Sequence, residues 1–159
     1  MLEAFEQRVV LRWIANLGGR LERFRWAQDG LLRFLGDEAE HLELDLEDDS
    51  RKIDAEGWTA IVAERLAMLE SAEPSTLERN LGAVARLLNL SDSEATVMSA
   101  LIRERVVPQV EDLFETLELD ELRVGHSGVV TLLSAMLGIT RAEVVEALSS
   151  RGRLMTSGL

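Results

Sequence analysis

Serine, histidine and clustered acidic residues are the side chains of this sequence that could do chemistry. Ser127 lies in Gly125-His126-Ser127-Gly128-Val129, which is close to the nucleophile-elbow motif, a strand-to-helix turn that exposes a reactive serine. That motif has glycine two residues after the serine, where this chain has Val129. The sequence therefore favours an ordinary helix cap at Ser127 and does not predict an esterase.

A second group of residues falls at positions that bind calcium in an EF-hand loop. Positions 1, 3, 5 and 12 of such a loop carry the ligands, and here they are Asp45, Glu47, Asp49 and Glu56. Position 6, which needs glycine for a sharp turn, is Ser50. An acidic linker exposed to solvent explains these carboxylates better than a calcium site.

The remaining chemistry is limited by the residues that the chain lacks. His41 and His126 are the only histidines and cysteine is absent, so no zinc ligand set is expected. A nucleotide-binding Gly-x-x-x-x-Gly-Lys-Ser/Thr motif does not occur, and Lys52 is the only lysine. The sequence therefore predicts a non-catalytic chain without a cofactor.

Charge and hydropathy restrict the partners. Seventeen basic against 29 acidic residues give a net charge of −12, which works against binding to DNA phosphates. No apolar run approaches the roughly 20 residues that span a bilayer, and the amino terminus carries acids where a signal peptide would carry bases. We expect a cytoplasmic protein that binds protein rather than DNA or membrane.

The spacing of hydrophobic residues along the chain predicts a mainly α-helical fold. Leu2, Phe5, Val9 and Trp13 share one helical face over residues 2–17, and Gly18-Gly19 ends that helix. A seam from Leu21 to Leu35 predicts a second helix antiparallel to the first. Residues 1–36 are thus predicted to form a helical hairpin, through which the chain could form a homo-oligomer.

An acidic linker is predicted next, over residues 37–56. Ten of its residues are acidic and two are basic. Leu42, Leu44 and Leu46 alternate with polar residues, which indicates one short strand. Residues 57–159 are predicted to form a further helical domain. Its first helix is predicted to run from about Asp54 to Ser71 and so to start in the last residues of the linker.

Helix-start signals dominate that domain. Three capping boxes are predicted, each with a hydroxyl at the cap and a glutamate three residues later: Ser75 with Glu78, Ser91 with Glu94, and Thr140 with Glu143. Pro108 suits the first turn of another helix.

The carboxyl-terminal part carries a helix-turn-helix pattern over Ala135–Leu148. One helix ends at Gly138, Ile139 fills the turn, and Thr140 caps the next helix. Residues 153–157 are predicted to be the first strand of a wing. A winged helix that binds DNA is one interpretation, but Glu143 and Glu146 on the second helix disfavour it, and a purely structural packing motif is the other.

The run from Leu137 to Leu159, with Leu87-Leu88-Asn89-Leu90-Ser91 upstream, resembles the winged-helix-like region that precedes the ATPase module in certain bacterial AAA-family ATPases. The resemblance covers residues 77–159 and rests on apolar positions, caps and glycines. It implies a regulatory or recruitment domain that contacts a client, neighbouring subunits or the ATPase module. It also implies that the chain continues into that module after Leu159.

Tryptophan and arginine residues are the candidates for an interaction surface. Trp13 and Trp58 lie on apolar faces and are predicted to be core. Trp26 lies off the hairpin seam among arginines, a composition typical of interface hot spots. The predicted surface comprises Arg23, Trp26, Arg33, Arg141, Arg151 and Arg153. A stand-alone helical scaffold that dimerises through residues 2–35 remains an alternative to the ATPase domain.

Overall fold

The computed structural model describes residues 2–18, 55–117 and 127–149, and within these ranges the chain forms seven α-helices and no strand. The mainly helical fold is therefore confirmed. The helices are α1 (Ala4–Leu17), α2 (Ala55–Met68), α3 (Thr76–Leu87), α4 (Asp92–Val106), α5 (Pro108–Thr116), α6 (Ser127–Leu137) and α7 (Arg141–Ala147).

Several predictions lie outside the described residues and stay predictions. They are the second hairpin helix, the acidic linker with its strand at 42–46, the wing strand at 153–157, the side chain of Trp58, and the surface residues Arg23, Trp26, Arg33, Arg151 and Arg153.

Helix α1 ends where it was predicted to end, but it buries a broader face than predicted. The helix ends at Leu17, and Gly18 follows with a positive φ of 39°. Trp13 is buried as predicted, whereas Val9 is only half-buried. Val10 and Ile14 are buried instead. The reason is that α1 packs against both α2 and α6, so a one-sided amphipathic face underestimates its contacts.

Helices α1 and α4 organise the core. Helix α1 packs against α2 and α6, while α4 packs against α3, α5, α6 and α7. The rings of Trp13 on α1 and Phe114 on α5 meet edge to face, with centroids 6.4 Å apart. Helix α1 thus shares one hydrophobic core with the helices of residues 57–149. The predicted boundary at 36 falls outside the described residues, whereas the boundary at 56 falls inside α2.

The described helices are short compared with a membrane-spanning helix. In the described ranges no single helix is long and apolar enough to cross one. The pair Gly128–Leu137 and Arg141–Ala147 meets the length and composition requirement only when the two helices are taken together, and it is bent by 104°.

Candidate interaction surfaces

Helices α6 and α7 are joined by a tight turn at Gly138, Ile139 and Thr140. The N–H of Gly138 donates to the carbonyl of Ala135 at 3.3 Å, and that of Ile139 donates to Ser134 at 3.1 Å. These two bonds form the Schellman motif, which needs a left-handed residue after the helix. Gly138 supplies it with a φ of 71°, and the two helices then diverge by 104°.

The same turn joins α3 to α4, 49 residues earlier. Asn89 has a positive φ of 50°, and its N–H donates to the carbonyl of Arg86 at 3.1 Å. The N–H of Leu90 donates to the carbonyl of Ala85 at 3.0 Å. Ser91 then caps α4 as Thr140 caps α7. Within the described residues, two units of consecutive helices, α3–α4 and α6–α7, are thus joined by turns with the same hydrogen bonds.

The left-handed position in the second unit gives a stability prediction. A Cβ at Gly138 would lie 3.1 Å from Nδ2 of Asn16, and its backbone would be strained at positive φ. We expect Gly138→Ala to destabilise the fold by about 1–2 kcal/mol. Asn89→Gly at the equivalent position should be neutral or stabilising, by less than about 1 kcal/mol. Urea unfolding of the two variants measures both, and an unchanged midpoint for Gly138→Ala would contradict the strain.

All three predicted cap residues are confirmed, but one of the three capping boxes was predicted wrongly. At Ser91 and Thr140, the carboxylate of the glutamate three residues later accepts the backbone N–H of the cap residue, which completes each box. Ser75 accepts the N–H of Glu78 at 3.0 Å. The carboxylate of Glu78 binds Arg103 instead of reaching back to Ser75, because a buried cation is nearby. Ser127, predicted to be a cap, is the first residue of α6.

The capping box at Thr140 predicts how the carboxyl group of Glu143 titrates. Hydrogen bonds from the hydroxyl and then the backbone N–H of Thr140 lower the pKa of Glu143 below its ordinary value of 4.5. The charged form is therefore favoured in the folded state, and this contribution is present above pH 4.5 and lost as the pH falls through the lowered pKa. We expect Thr140→Ala to move the pKa of Glu143 back up, measured from the carboxyl ¹³C shift. An unchanged pKa would show that the hydroxyl does not act.

Helix α7 carries the one predicted surface residue that the structure describes, Arg141. Its exposed side consists of Arg141, Ala142, Val145 and Glu146. Val145 is 48% exposed despite being apolar, while Val144 and Ala147 face the core. The outward face is therefore a small apolar patch between one positive and one negative charge.

A buried ion-pair network centres on Arg103 of α4, whose side chain is 0% exposed. Its Nε donates to Oε2 of Glu6 on α1 at 2.6 Å, and one terminal nitrogen donates to Oε2 of Glu78 at 2.6 Å. The other terminal nitrogen donates to Oγ of Ser99. Ser75 donates its hydroxyl hydrogen to Oε1 of Glu6 at 2.5 Å. The network joins α1, the start of α3 and α4.

Every nitrogen of the Arg103 guanidinium group thus has a partner within the protein. Burial by itself would lower the pKa of Arg103, but hydrogen bonds to Glu6 and then Glu78 outweigh it and raise the pKa. The group stays charged at any pH at which the protein is folded. These bonds fix the position of α4 relative to α1 and α3.

The sequence prediction missed this network, although one signal was present. Glu6 follows Phe5 and precedes Val10 on the buried side of α1, and Arg103 follows Ala100 on the buried side of α4. Charges of opposite sign on two apolar faces indicate a buried pair. Their pairing across 97 residues could not be derived, because it depends on how the helices pack.

A groove of about 370 Å³ opens beside Arg103, between α1, α3 and α4. Val9 and Trp13 line one wall, Gly82 and Ala85 the other, and Arg103 and Glu78 are at one end. Among the residues that the structure describes, no three His, Cys, Asp or Glu side chains are placed to hold a metal ion.

Comparison of the chain with protein-family models, with curated proteins and with solved structures finds no match.

Proposed function

We propose that this chain is a non-catalytic regulatory or recruitment domain of an AAA-family ATPase and acts by binding protein. The observation that carries the proposal is the outward face of α7. Its exposed residues combine apolar Ala142 and Val145 with Arg141 and Glu146, so the face offers an apolar contact for protein but lacks the basic surface that phosphate binding needs.

The ATPase context rests on the resemblance of residues 77–159 to the winged-helix-like region upstream of such modules. Two features of the structure support it. The α6–α7 pair has a three-residue turn and a 104° bend, within the range of helix-turn-helix motifs. Among the described residues, the buried Arg103 pairs with Glu6 and Glu78, which gives these charges a structural role.

The reading frame beyond residue 159 tests the ATPase context directly. We expect a Gly-x-x-x-x-Gly-Lys-Ser/Thr motif between a strand and a helix within the following nucleotide-binding module. A frame that continues for several hundred residues without that motif, or stops, overturns the proposal.

DNA binding through α7 is the second candidate, favoured by the bend between α6 and α7. In such proteins the second helix enters the major groove. Glu146 on the exposed side of α7 would face phosphates, and Arg141 is the only base on that helix. A mobility-shift titration at low salt, where phosphate binding is strongest, separates the two functions. Saturable binding there supports a DNA-binding domain, whereas no binding supports the protein-binding one.

A further inference from the structure

The two helix–turn–helix units differ in how they are packed: α6 lies against α1, whereas among the described helices only α4 is packed closely against α3. Met136, two residues before the left-handed Gly138, is 0% exposed. Leu87, two residues before the left-handed Asn89, is 84% exposed. The same position of the same motif is thus a core residue in one unit and the most exposed large apolar residue described in the other.

Helix α1 packs against α6 near Met136. The side-chain amide of Asn16 on α1 donates to the backbone carbonyl of Met136 at 3.0 Å, which places the end of α1 at the end of α6. In this unit a neighbouring helix therefore packs on the helix that precedes the turn.

One side of α3 carries a stripe of Arg79, Ala83, Arg86 and Leu87, in which each of the other three residues lies three or four positions from Ala83. Both arginines are exposed. The equivalent residues of α6 include Leu132 and Met136, which are buried. Charge distinguishes the two stripes: the covered one is apolar, and the open one carries two positive charges in a chain whose net charge is −12.

We infer that the stripe of Arg79, Ala83, Arg86 and Leu87 on α3 is a docking site for one amphipathic helix of a partner protein, apolar on one side and acidic at its edge. The helix packs on Leu87 as α1 packs against α6. Its carboxylates pair with Arg86 first, since both terminal nitrogens of Arg79 already donate to Pro74 and Thr76, and its apolar residues bind as in other recognition of amphipathic helices. The inference deepens the proposed function and rests on it in taking the domain to act by binding protein.

A peptide made from this chain's own α1 tests the inference. The probe is residues 1–18 with Arg12→Glu, which changes its net charge from zero to −2. It is titrated into the ¹⁵N-labelled full chain at about 0.15 M salt, where only charges within about 8 Å interact strongly. We expect saturable shifts confined to the amides of residues 79–90, and weaker binding by the peptide that keeps Arg12.

Two matched variants of the full chain decide where the peptide binds. Leu87→Glu should weaken binding by about tenfold or more, a loss typical of a central apolar contact. Val106→Glu places the same charge on another exposed apolar residue, which is 57% exposed at the end of α4, and should leave binding unchanged. Arg86→Glu should weaken the acidic peptide more than the peptide that keeps Arg12.

Four outcomes overturn the inference. The first is the absence of saturable amide shifts up to millimolar peptide, and the second is an equal loss of affinity in Leu87→Glu and Val106→Glu. The third is a set of amide shifts centred on α6, which would mean that the peptide displaces α1. The fourth is self-association of the chain through Leu87 without peptide, which would make a second copy the occupant. A Walker motif downstream with no peptide binding would remove this inference and leave the proposed function intact.

Discussion

Arg103→Met is expected to lower the free energy of unfolding by about 3–5 kcal/mol, because it leaves a buried carboxylate without its counter-ion. Glu6 is 4% exposed, and Arg103 supplies it with hydrogen bonds from two nitrogens, at 2.6 Å and 3.3 Å. Methionine fills a similar volume but donates no hydrogen bond. A loss of this size is a large part of the roughly 5–15 kcal/mol that stabilises a typical domain. Urea unfolding followed by circular dichroism measures it.

Arg105→Met is the matched control, since the same exchange occurs two residues away on a side chain that is 82% exposed. It should change stability by less than about 0.5 kcal/mol. The double variant Arg103→Met with Glu6→Gln removes the unpaired charge and should recover part of the loss. If Arg103→Met and Arg105→Met unfold at the same urea concentration, the buried pair does not stabilise the fold.

The helices themselves could be predicted well, because their signals are local. Ser75, Ser91 and Thr140 each begin a helix where a hydroxyl can accept a backbone N–H. Pro108 begins α5, and Gly138 has the left-handed backbone that its type favours. Each of these depends on residues within one turn of the helix end, so a single sequence contains the whole interaction.

The choice of partners could not be predicted in the same way. Glu78 has the spacing of a capping-box residue, but it forms a 2.6 Å ion pair with Arg103, 25 residues away. Glu94 and Glu143 have the same spacing and do complete their boxes. What distinguishes Glu78 is a buried guanidinium group beside it, and that proximity follows from how α3 and α4 pack.

The candidate docking surface on α3 also could not be predicted from the sequence. The left-handed turn at Gly138 follows from its residue type, whereas Asn89 adopts the same conformation, which asparagine visits less often than glycine. The 84% exposure of Leu87 depends on how the described helices pack, not on its own neighbours in sequence. That exposure comes from tertiary structure, and it carries the inference about α3.

The second large effect is expected from Phe114→Ala, which should lower the free energy of unfolding by about 3–5 kcal/mol. Phe114 is 1% exposed and meets the edge of Trp13 with ring planes at 63°, so alanine leaves a cavity between α5 and α1. Leu87→Ala truncates an apolar side chain that is 84% exposed and should cost less than about 0.5 kcal/mol.

Trp13→Leu combined with Phe114→Ala tests whether that cavity loosens α1. The aromatic contact itself should contribute about 0.5–1.5 kcal/mol of coupling in a double-mutant cycle. Helix α1 is also held by the pair of Glu6 and Arg103, so it should stay in place in Phe114→Ala, with Glu6 still protected from solvent. If the losses in unfolding free energy from Trp13→Leu and Phe114→Ala simply add, the two rings do not interact. In that case α1 is joined to the core through α6 and Arg103 rather than through α5.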